Sequence, residues 1–287
     1  MLIYKKTDVL KDILRKWREN GEPLNWVPTM GALHDGHISL IEAAKQQKGH
    51  VLCSIFINPT QFNDPNDFKK YPVTIEKDIY LLESNAVDLL FLPSVDEIYP
   101  AGFDGLPHYD LGYLESILEG KFRPGHFQGV CQVMDKMLQI IEPDYLYMGQ
   151  KDYQQCMIIR RLLEITGSKT VLYTCPTKRE PDGLAMSSRN IRLTAGERKK
   201  ANAIFQALHF LKENLKKGNL MELISEAKSI LAKNDFRVDY AETVDADSLQ
   251  MLNSWDGKRP LVALIAAFQK EVRLIDNMIL TEKDNSE

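Results

Sequence analysis

The segment from Met30 to His37 carries two histidines, His34 and His37, spaced so that both lie on one face of a first helical turn. It follows an apolar run, Leu24 to Val27, that predicts a buried strand, and it precedes a helical pattern at Ile38 to Lys45. The first turn of a helix offers free backbone N–H groups and a positive dipole end, which together hold anions. Imidazole N–H groups beside them can donate hydrogen bonds to the same anion. The spacing therefore predicts a site for nucleotide phosphates.

Four further segments are also polar and lie at the ends of predicted strands or in loops between predicted elements. They are Asn58-Pro59-Thr60-Gln61, Arg123-Pro124-Gly125-His126-Phe127, Gly149-Gln150-Lys151-Asp152-Tyr153-Gln154-Gln155 and Met186-Ser187-Ser188-Arg189-Asn190. The chain contains neither a GxxxxGK[ST] phosphate loop nor a GxGxxG turn. A nucleotide would therefore be held by another device, for which these segments are the candidates.

Each candidate also has a plainer interpretation. Lys151 and Asp152 could form an ordinary surface ion pair, although their position at a predicted strand end favours a functional role. Ser187-Ser188-Arg189 could be a simple loop, but two hydroxyls and a guanidinium make a good phosphate clamp. The amides of Gln61 and Gln155 could bind a hydroxy acid or simply face solvent. These residues alone leave the alternatives open.

The composition excludes several classes of protein. The 36 basic and 40 acidic residues give a net charge of −4, which weighs against a nucleic-acid partner because such proteins usually carry a basic excess. The four cysteines are widely spaced and form no CxxC pair, which argues for free thiols in a reducing compartment and against structural zinc. The longest apolar run, Leu261 to Phe268, is far shorter than a membrane span. With no signal-peptide pattern at the N-terminus, we expect a cytoplasmic protein that does not bind membranes.

Strands and helices alternate in the first part of the chain. Apolar runs predict strands over residues 24–29, 51–57, 87–92, 145–148 and 170–174, and helical patterns predict helices over 8–20, 37–47, 74–85, 129–141 and 153–165. This alternation is typical of an α/β protein with a Rossmann-like, doubly wound parallel sheet. Ligands of such sheets bind beyond the carboxyl ends of the strands, so we expect the polar turns after the first, second and fourth strands to converge on one site.

The composition changes after Pro176. Long helices are predicted over 195–217 and 221–233, and strands over 240–244, 261–268 and 272–276, with a frayed tail from Thr281. This order predicts a smaller C-terminal α+β domain. We therefore divide the chain into domains at residues 1–176 and 177–287. Residues 93–125 are rich in proline, glycine and aromatic side chains and are predicted to cover the site rather than to join the core.

The segment Pro28 to His37 closely resembles the signature of the pantothenate synthetase family, the pantoate–β-alanine ligases. The other four segments resemble the remaining motifs of that family in the same order, and the resemblance extends from residue 1 to about residue 280. His34-Asp35-Gly36-His37 is similar to the HIGH motif of the wider nucleotidyltransferase superfamily. Met186-Ser187-Ser188-Arg189 is similar to its KMSKS loop.

The resemblance implies a reaction in two steps. ATP and pantoate give pantoyl adenylate and pyrophosphate, and the amine of β-alanine then attacks the adenylate to give pantothenate and AMP. It also implies Mg²⁺ as a cofactor, a homodimer through the first domain, and a second domain that acts as a lid. An acyl adenylate hydrolyses readily, so a site that can close against water is expected.

The resemblance further implies a role for each matching residue. His34, His37 and Lys151 would be catalytic, with His37 as an acid, Lys151 on the phosphates and Asp152 on the ribose. The implied ATP site consists of Met30, Gly31, Ala32, Leu33, His34, Asp35, Gly36, His37, Gly149, Gln150, Lys151, Asp152, Lys178, Met186, Ser187, Ser188 and Arg189. The implied site for pantoate and β-alanine consists of Gln61, Gln155 and Asn58, and the implied metal ligand is Asp78. Lys178 departs from the family, which usually has a small apolar residue against adenine there.

Two other functions remain compatible with the HxGH turn. A nucleotidyltransferase would leave its nucleotide on a stable product, whereas the ligase would release AMP and depend on β-alanine. A synthetase-like RNA-binding protein would form a salt-sensitive complex with tRNA, which the acidic net charge opposes.

Overall fold

The computed structural model describes residues 1–281 and divides the chain into two compact units. The first unit contains Met1–Gln150 and Gln154–Pro176, and the second contains Lys151–Tyr153 together with the chain from Thr177. The chain thus leaves the first unit for the last time after residue 176, where the sequence predicts a domain boundary. The prediction did not anticipate that Lys151–Tyr153, in the middle of a candidate nucleotide turn, belongs to the second unit.

The first unit is built on a parallel sheet of six strands. Its strands are β1 (Leu2–Tyr4), β2 (Leu24–Thr29), β3 (His50–Ile55), β4 (Leu89–Phe91), β5 (Tyr145–Gly149) and β6 (Val171–Cys175). They lie in the order β1-β4-β3-β2-β5-β6, so the direction of winding reverses between β2 and β5. This confirms the predicted doubly wound sheet and places its ligand-binding switch point beyond β2 and β5. The three-residue edge strand β1 was not predicted because it is too short to show a pattern.

Helices cover both faces of this sheet. They are α1 (Thr7–Glu19), α2 (Asp35–Lys45), α3 (Pro65–Lys69), α4 (Ile75–Ser84), α5 (Val95–Ile98), α6 (Tyr113–Ser116), α7 (Leu118–Phe122), α8 (His126–Ile141) and α9 (Tyr153–Thr166). Successive strand residues point to opposite faces, so Trp26 packs in one hydrophobic cluster and Val27 in another. Burial on both faces explains why β2, β3 and β4 appear in the sequence as continuous apolar runs.

Residues 93–125 correct one expectation. The segment contains α5, α6 and α7, and its residues Ile98, Tyr99, Tyr109 and Leu111 are buried within the same cluster as Trp26. The prediction that it lies outside the core was therefore wrong. Its aromatic and apolar side chains fill space against the sheet, which a count of proline and glycine does not reveal.

The second unit is built on a three-stranded antiparallel sheet in the order β11-β10-β8. Its elements are the helices α10 (Ala195–Ala201), α11 (Ala203–Glu213) and α12 (Met221–Lys233) and the strands β7 (Gly218–Asn219), β8 (Phe236–Asp245), β9 (Ser254–Trp255), β10 (Leu261–Gln269) and β11 (Val272–Ile279). Helices α11 and α12 pack against the sheet, which confirms the predicted α+β arrangement. The helix predicted over 195–217 is two helices that meet at Asn202.

Within residues 1–281, no helix combines the length and hydropathy that crossing a membrane requires. The predicted frayed tail lies, except for Thr281, outside the described residues.

Candidate active site

The turns that follow β2 and β3 leave the sheet side by side. The two strands pair in register from Leu24 opposite His50 to Thr29 opposite Ile55, so both end at the same level. Gln61 Nε2 lies 3.1 Å from Met30 Sδ and donates a hydrogen bond to it. The first two of the predicted turns therefore converge, as the parallel sheet requires.

The backbone of the first turn is held by a buried carboxylate. Gly31 and Ala32 both adopt left-handed conformations, with φ angles of 79° and 49°. Such a conformation strains an alanine, at a cost of about 1 kcal/mol or more. Asp78, which is fully buried, compensates: its Oδ2 accepts from Ala32 N at 2.9 Å and its Oδ1 accepts from Leu33 N at 2.8 Å. Glycine is favoured at position 31 because a side chain would be strained at this positive φ and would place its Cβ 3.1 Å from Asp78 Oδ2.

Asp78, which the family resemblance implies as a metal ligand, accepts a further hydrogen bond from the protein. Thr74 Oγ1 also donates to Asp78 Oδ1, at 3.0 Å, so protein donors engage both carboxylate oxygens. Among residues 1–281, no group of three or more His, Cys, Asp and Glu side chains could hold a metal ion. The structure shows that Asp78 fixes the loop, and its role as a metal ligand stays a prediction.

The two histidines cap the start of α2 with one ring nitrogen each. Gly36 N donates to His34 Nδ1 at 3.1 Å, and His34 N donates to His37 Nδ1 at 3.3 Å. A ring nitrogen that accepts an amide proton carries no proton of its own, so each neutral ring carries its proton on Nε2. Both imidazoles therefore serve as Nε2–H donors at the positive end of a helix, and their ring centroids are 4.1 Å apart.

Gln61 is held in place by a buried asparagine. Asn58 is 1% exposed, and its Nδ2 donates to Gln61 Oε1 at 3.2 Å and to the carbonyl of Gly129 at 3.0 Å. Its Oδ1 accepts from Thr60 Oγ1 and from the hydroxyl of Tyr99. Asn58 is thereby enclosed by protein groups and orients the amide of Gln61.

Gly129 and His126, in the first turns of α8, have roles that the sequence did not reveal. A Cβ on Gly129 would lie 2.2 Å from the carbonyl oxygen of Thr60, so glycine alone allows the helix to pass this close to the turn before Gln61. Arg123 Nη1 donates to His126 Nε2 at 3.0 Å, which leaves Nδ1 to donate to the carbonyl of Gln61 at 2.8 Å. The sequence drew attention to Arg123 and His126, but only the fold shows that they support Gln61.

The two neighbouring glutamines of α9 have different surroundings. Gln154 is buried and bonds Glu119 N, Leu114 O and Ile117 O, which ties α9 to the segment that includes α6 and α7. Gln155, which the family resemblance associates with pantoate, is partly exposed.

Gly149 ends β5, next to β2 in the sheet.

The segment Lys151–Tyr153 is attached to the second unit at both ends. Asn277 Nδ2 donates to Lys151 O at 2.9 Å, and the hydroxyl of Tyr153 donates to Ala246 O at 2.7 Å. Lys151 Nζ lies 3.8 Å from Asp152 Oδ2, and the Lys151 side chain is 17% exposed. In this ion pair Lys151 is mostly buried, whereas the side chain of Asp152 is 46% exposed.

Backbone amides donate the hydrogen bonds that anchor the loop of Met186, Ser187 and Arg189. Met186 N donates to Lys178 O at 3.0 Å, and Arg189 N donates to Ser187 Oγ at 3.3 Å at the start of the 3-10 helix Ser188–Arg192. The side chain of Lys178 is exposed, and Lys178 contacts this loop through its backbone carbonyl.

The cysteines are all free and do not resemble nucleophiles. Burial raises the pKa of both Cys53 and Cys131 to about 12. A thiol with such a pKa is neutral and unreactive at neutral pH. These two residues are therefore part of the core and not of the chemistry.

A doubly wound parallel sheet, with a histidine-capped helix at its switch point and amide side chains beside it, defines an α/β enzyme that acts on a nucleotide and a small polar substrate. The family model described as pantoate-beta-alanine ligase matches residues 2–279. The chain belongs to the pantoate–β-alanine ligase family, and it is a ligase that joins pantoate to β-alanine.

Named relatives agree with this assignment. The chain is 42% identical over 285 residues to the pantothenate synthetase of Leptospira biflexa, an alignment that covers 98% of this chain and 99% of the relative. It is 40% identical over 286 residues to that of Caldicellulosiruptor bescii, covering 99% and 100%.

Solved structures show the same fold. Pantothenate synthetase from Thermus thermophilus is 36% identical, with a TM-score of 0.90 and coverage of 98% and 100%. The enzyme from Francisella tularensis, complexed with beta-gamma ATP and β-alanine, is 39% identical, with a TM-score of 0.82 and coverage of 98% of each chain. The family and fold that the sequence suggested are thereby confirmed.

Proposed function

We propose that this chain makes pantothenate in two steps on one site. ATP first activates the carboxylate of (R)-pantoate as pantoyl adenylate, with release of pyrophosphate. The amine of β-alanine then attacks the acyl carbon, the amide bond forms, and AMP leaves. The Francisella relative complexed with an ATP compound and β-alanine supports the assignment of two of these substrates.

The observation that carries the proposal is the geometry of the histidine turn. His34 and His37 accept amide hydrogen bonds on Nδ1 and so keep Nε2–H donors at the start of α2. Placed beyond the carboxyl end of β2, these donors suit the phosphates of ATP, where negative charge grows as pyrophosphate departs. The residues from Gly31 to Gly36 would line the rest of this wall, with Asp35 exposed beside them.

Gln61 is the proposed pantoate ligand of the first unit. Its amide is oriented by Asn58 and its backbone carbonyl by His126, so its geometry is fixed before substrate arrives. A preformed amide can align one carboxylate oxygen with the α-phosphorus and so supply much of the rate enhancement. Gln155 would contribute a second amide.

The second unit would supply positive charge. We assign Lys151 to the phosphates, Asp152 to the ribose, and Ser187, Ser188 and Arg189 to the departing pyrophosphate. Gly149 and Gln150, which end the neighbouring strand β5, would contact the nucleotide, as would Met186. Because Lys178 uses its backbone carbonyl and exposes its side chain, an adenine contact through its backbone is compatible with lysine.

Mg²⁺ would reach the site on the phosphates of ATP. This ion keeps several waters and usually binds through substrate phosphates with one or two carboxylates. The described residues form no metal cluster of their own, and Asp78 is engaged with the loop. We therefore derive no step of the reaction through a protein-bound metal.

The assembly and location of the enzyme are also proposals. We propose a homodimer through the first unit, for which Val171 and Tyr173, exposed on the edge strand β6, offer an apolar surface. Analytical ultracentrifugation tests this state. We place the enzyme in the cytoplasm, because its four cysteines are free thiols that suit a reducing compartment.

Product analysis tests the proposed reaction. Incubation with ATP, pantoate and β-alanine is expected to give AMP, pyrophosphate and pantothenate, and omission of β-alanine is expected to leave pantoyl adenylate on the enzyme. Omission of pantoate is expected to abolish pyrophosphate release. A stable nucleotidylated product, or AMP formation that does not depend on pantoate, would overturn the proposal.

A further inference from the structure

Two neighbouring residues of β11, Asp276 and Asn277, are almost fully buried, with 4% and 1% of their surfaces exposed. Buried polar side chains destabilise a fold unless they are paired. Asn277 Nδ2 donates to Lys151 O at 2.9 Å, and this bond joins residues 126 positions apart. A strand residue of the core is thus bonded to the backbone of the proposed phosphate-binding lysine.

Asp276 is bonded to Arg179. Arg179 Nη1 donates to Asp276 Oδ2 at 2.6 Å and Nη2 donates to Oδ1 at 3.1 Å, a two-pronged pair that fixes both groups in orientation. Burial raises the pKa of Asp276 above its ordinary value, while the guanidinium of Arg179 lowers it. Arg179 thus opposes the effect of burial on this carboxyl group.

The same pair holds Asn277 from both sides. Asn277 N donates to Asp276 Oδ1 at 2.8 Å, and Arg179 Nη2 donates to Asn277 O at 3.2 Å. Within the sheet, Asp276 lies opposite Ile265 and Asn277 opposite Leu264, in the middle of paired strands. The backbone of Asn277 consequently has little freedom, and neither has the amide that its side chain presents to Lys151.

Arg179 also anchors the base of the loop that leads to Ser187. Its Nη1 donates to Gly183 O at 3.0 Å, its guanidinium carbon lies 5.0 Å above the centre of the Phe205 ring, and its own residue forms a β-bridge with Ala185. One set of contacts therefore fixes both the Lys151 segment and the beginning of the serine–arginine loop.

We propose that Asn277 is a positioning residue for the adenylation step, which sets the backbone of Lys151 through its side-chain amide and is itself held by the Arg179–Asp276 pair. The proposal rests on the function proposed above for Lys151. Apolar residues at positions 276 and 277 would suit a buried strand equally well. What the polar pair adds is a fixed position for the lysine relative to the loop that would close on the same phosphates.

A double-mutant cycle tests this role. Asn277→Ala, Lys151→Ala and the double variant are compared for pyrophosphate release from ATP and pantoate. Because a displacement of about 1 Å at a reacting centre can cost 10²-fold, Asn277→Ala is expected to lower kcat by about 10- to 100-fold. The KM for pantoate is expected to stay unchanged. In the Lys151→Ala background, the same substitution is expected to have little further effect.

Val272→Ala is the matched control, since Val272 is buried on the same strand and belongs to the hydrophobic core. Val272→Ala is expected to lower the melting temperature. It is expected to change the rate of pyrophosphate release by the same factor in the wild-type and Lys151→Ala backgrounds. Asn277→Ser is a second variant if Asn277→Ala folds poorly, because a serine is too short to reach Lys151 O. Rates are normalised to the folded fraction measured by thermal unfolding.

Two results would overturn the inference: a wild-type rate in folded Asn277→Ala or Asn277→Ser, or an equal loss in the presence and absence of the lysine. The second result would mean that Asn277 supports only the fold. If Lys151→Ala itself released pyrophosphate at the wild-type rate, the role proposed for Lys151 would fail instead. The single lysine variant therefore separates the two failures.

Discussion

Two segments of the candidate site are each stabilised by a buried aspartate, but the contacts differ. Asp78 binds the loop after β2 directly, by accepting hydrogen bonds from Ala32 N and Leu33 N. Asp276 is bonded to the Lys151 segment through its neighbour: it pairs with Arg179 and accepts from Asn277 N, and Asn277 bonds Lys151 O. The loop after β2 has its own glycine and capping histidines and bonds an acceptor 46 positions away, whereas the Lys151 segment bonds a strand residue 126 positions away.

The comparison between the loop after β2 and the Lys151 segment assumes that both contact the phosphates of ATP. Lys151→Ala is expected to lower the rate of pyrophosphate release by about 10²- to 10³-fold, because it removes a preorganised positive charge from the transition state. The melting temperature is expected to stay near that of the wild type. Lys169→Ala, which removes an exposed lysine, is the control. Near-wild-type release by Lys151→Ala would remove the second segment from the comparison.

The histidine loop is tested by separating the half-reactions. His37→Ala is expected to slow the formation of pantoyl adenylate by about 10²-fold, since it removes one donor to the developing charge. The attack of β-alanine on preformed pantoyl adenylate is expected to suffer less. His209→Ala, at an exposed histidine, is the control. Equal losses in both half-reactions would contradict a role centred on the phosphates.

The two aspartates are expected to differ in what they contribute to stability. Asp276→Asn leaves the guanidinium of Arg179 unpaired in a mostly buried position and is expected to cost about 3 kcal/mol. Asp78→Asn loses one acceptor for neutral amide donors and is expected to cost about 2 kcal/mol. Thermal and urea unfolding of both variants measure the difference. A larger loss for Asp78→Asn would reverse the comparison.

His126 tests whether Gln61, in the turn after β3, also relies on a residue that is distant in the sequence. His126→Ala removes the hydrogen bond to Gln61 O and is expected to raise the KM for pantoate by about 3- to 10-fold. The KM for ATP is expected to stay constant. His126→Asn keeps an amide donor near the position of Nδ1 and is expected to restore part of the loss. A variant that changes both KM values equally would indicate a general defect of the fold.

Glu97 gives a reference carboxylate nearer the surface. Its Oε1 accepts from Thr7 N at the start of α1, and its Oε2 pairs with Lys6. The bond from the Lys6 side chain, followed by that from Thr7, lowers the pKa of Glu97 from 4.5 to about 2. A lowered pKa stabilises the fold above the unfolded value, and this contribution is lost as the pH falls from about 4.5 through about 2.

Glu97→Gln is therefore expected to reduce stability slightly at neutral pH and to flatten its decrease in acid. Because Lys6 is exposed, added salt is expected to weaken the effect, which is the smallest of those proposed here. Unfolding curves between pH 2 and 6 measure it. An unchanged slope in acid would show that Glu97 does not contribute as described.

The first segment could be predicted from sequence because its information is local. Apolar runs identified β2 and β3, and the parallel arrangement then placed their following turns together. The glycine and histidines of the turn identified the helix start. Asp78 could be recognised as a candidate site residue, but its hydrogen-bond partners could not be predicted. A carboxylate's partners depend on the fold around it, and those of Asp78 include two loop amides.

The supports of the second segment could not be predicted. The strand predicted over residues 272–276 continues in the structure to Ile279, and no pattern in the sequence shows that Asp276 is buried beside an arginine 97 positions away. The same limitation applies to Gly129, whose close approach to Thr60 O depends on how α8 packs. Contacts between distant parts of the chain decide these roles, and periodicity does not report them.

The bond between Asn277 and Lys151 O also has a consequence for biosynthesis. The ribosome makes Lys151 first and Asn277 126 residues later, and chains generally fold from the N-terminus as they emerge. The parallel sheet and the histidine turn can assemble while the second unit is still being translated. The lysine segment acquires its anchor only when β11 has been made and paired. A nascent chain that has already formed the histidine turn therefore still lacks the contact between Asn277 and Lys151 O.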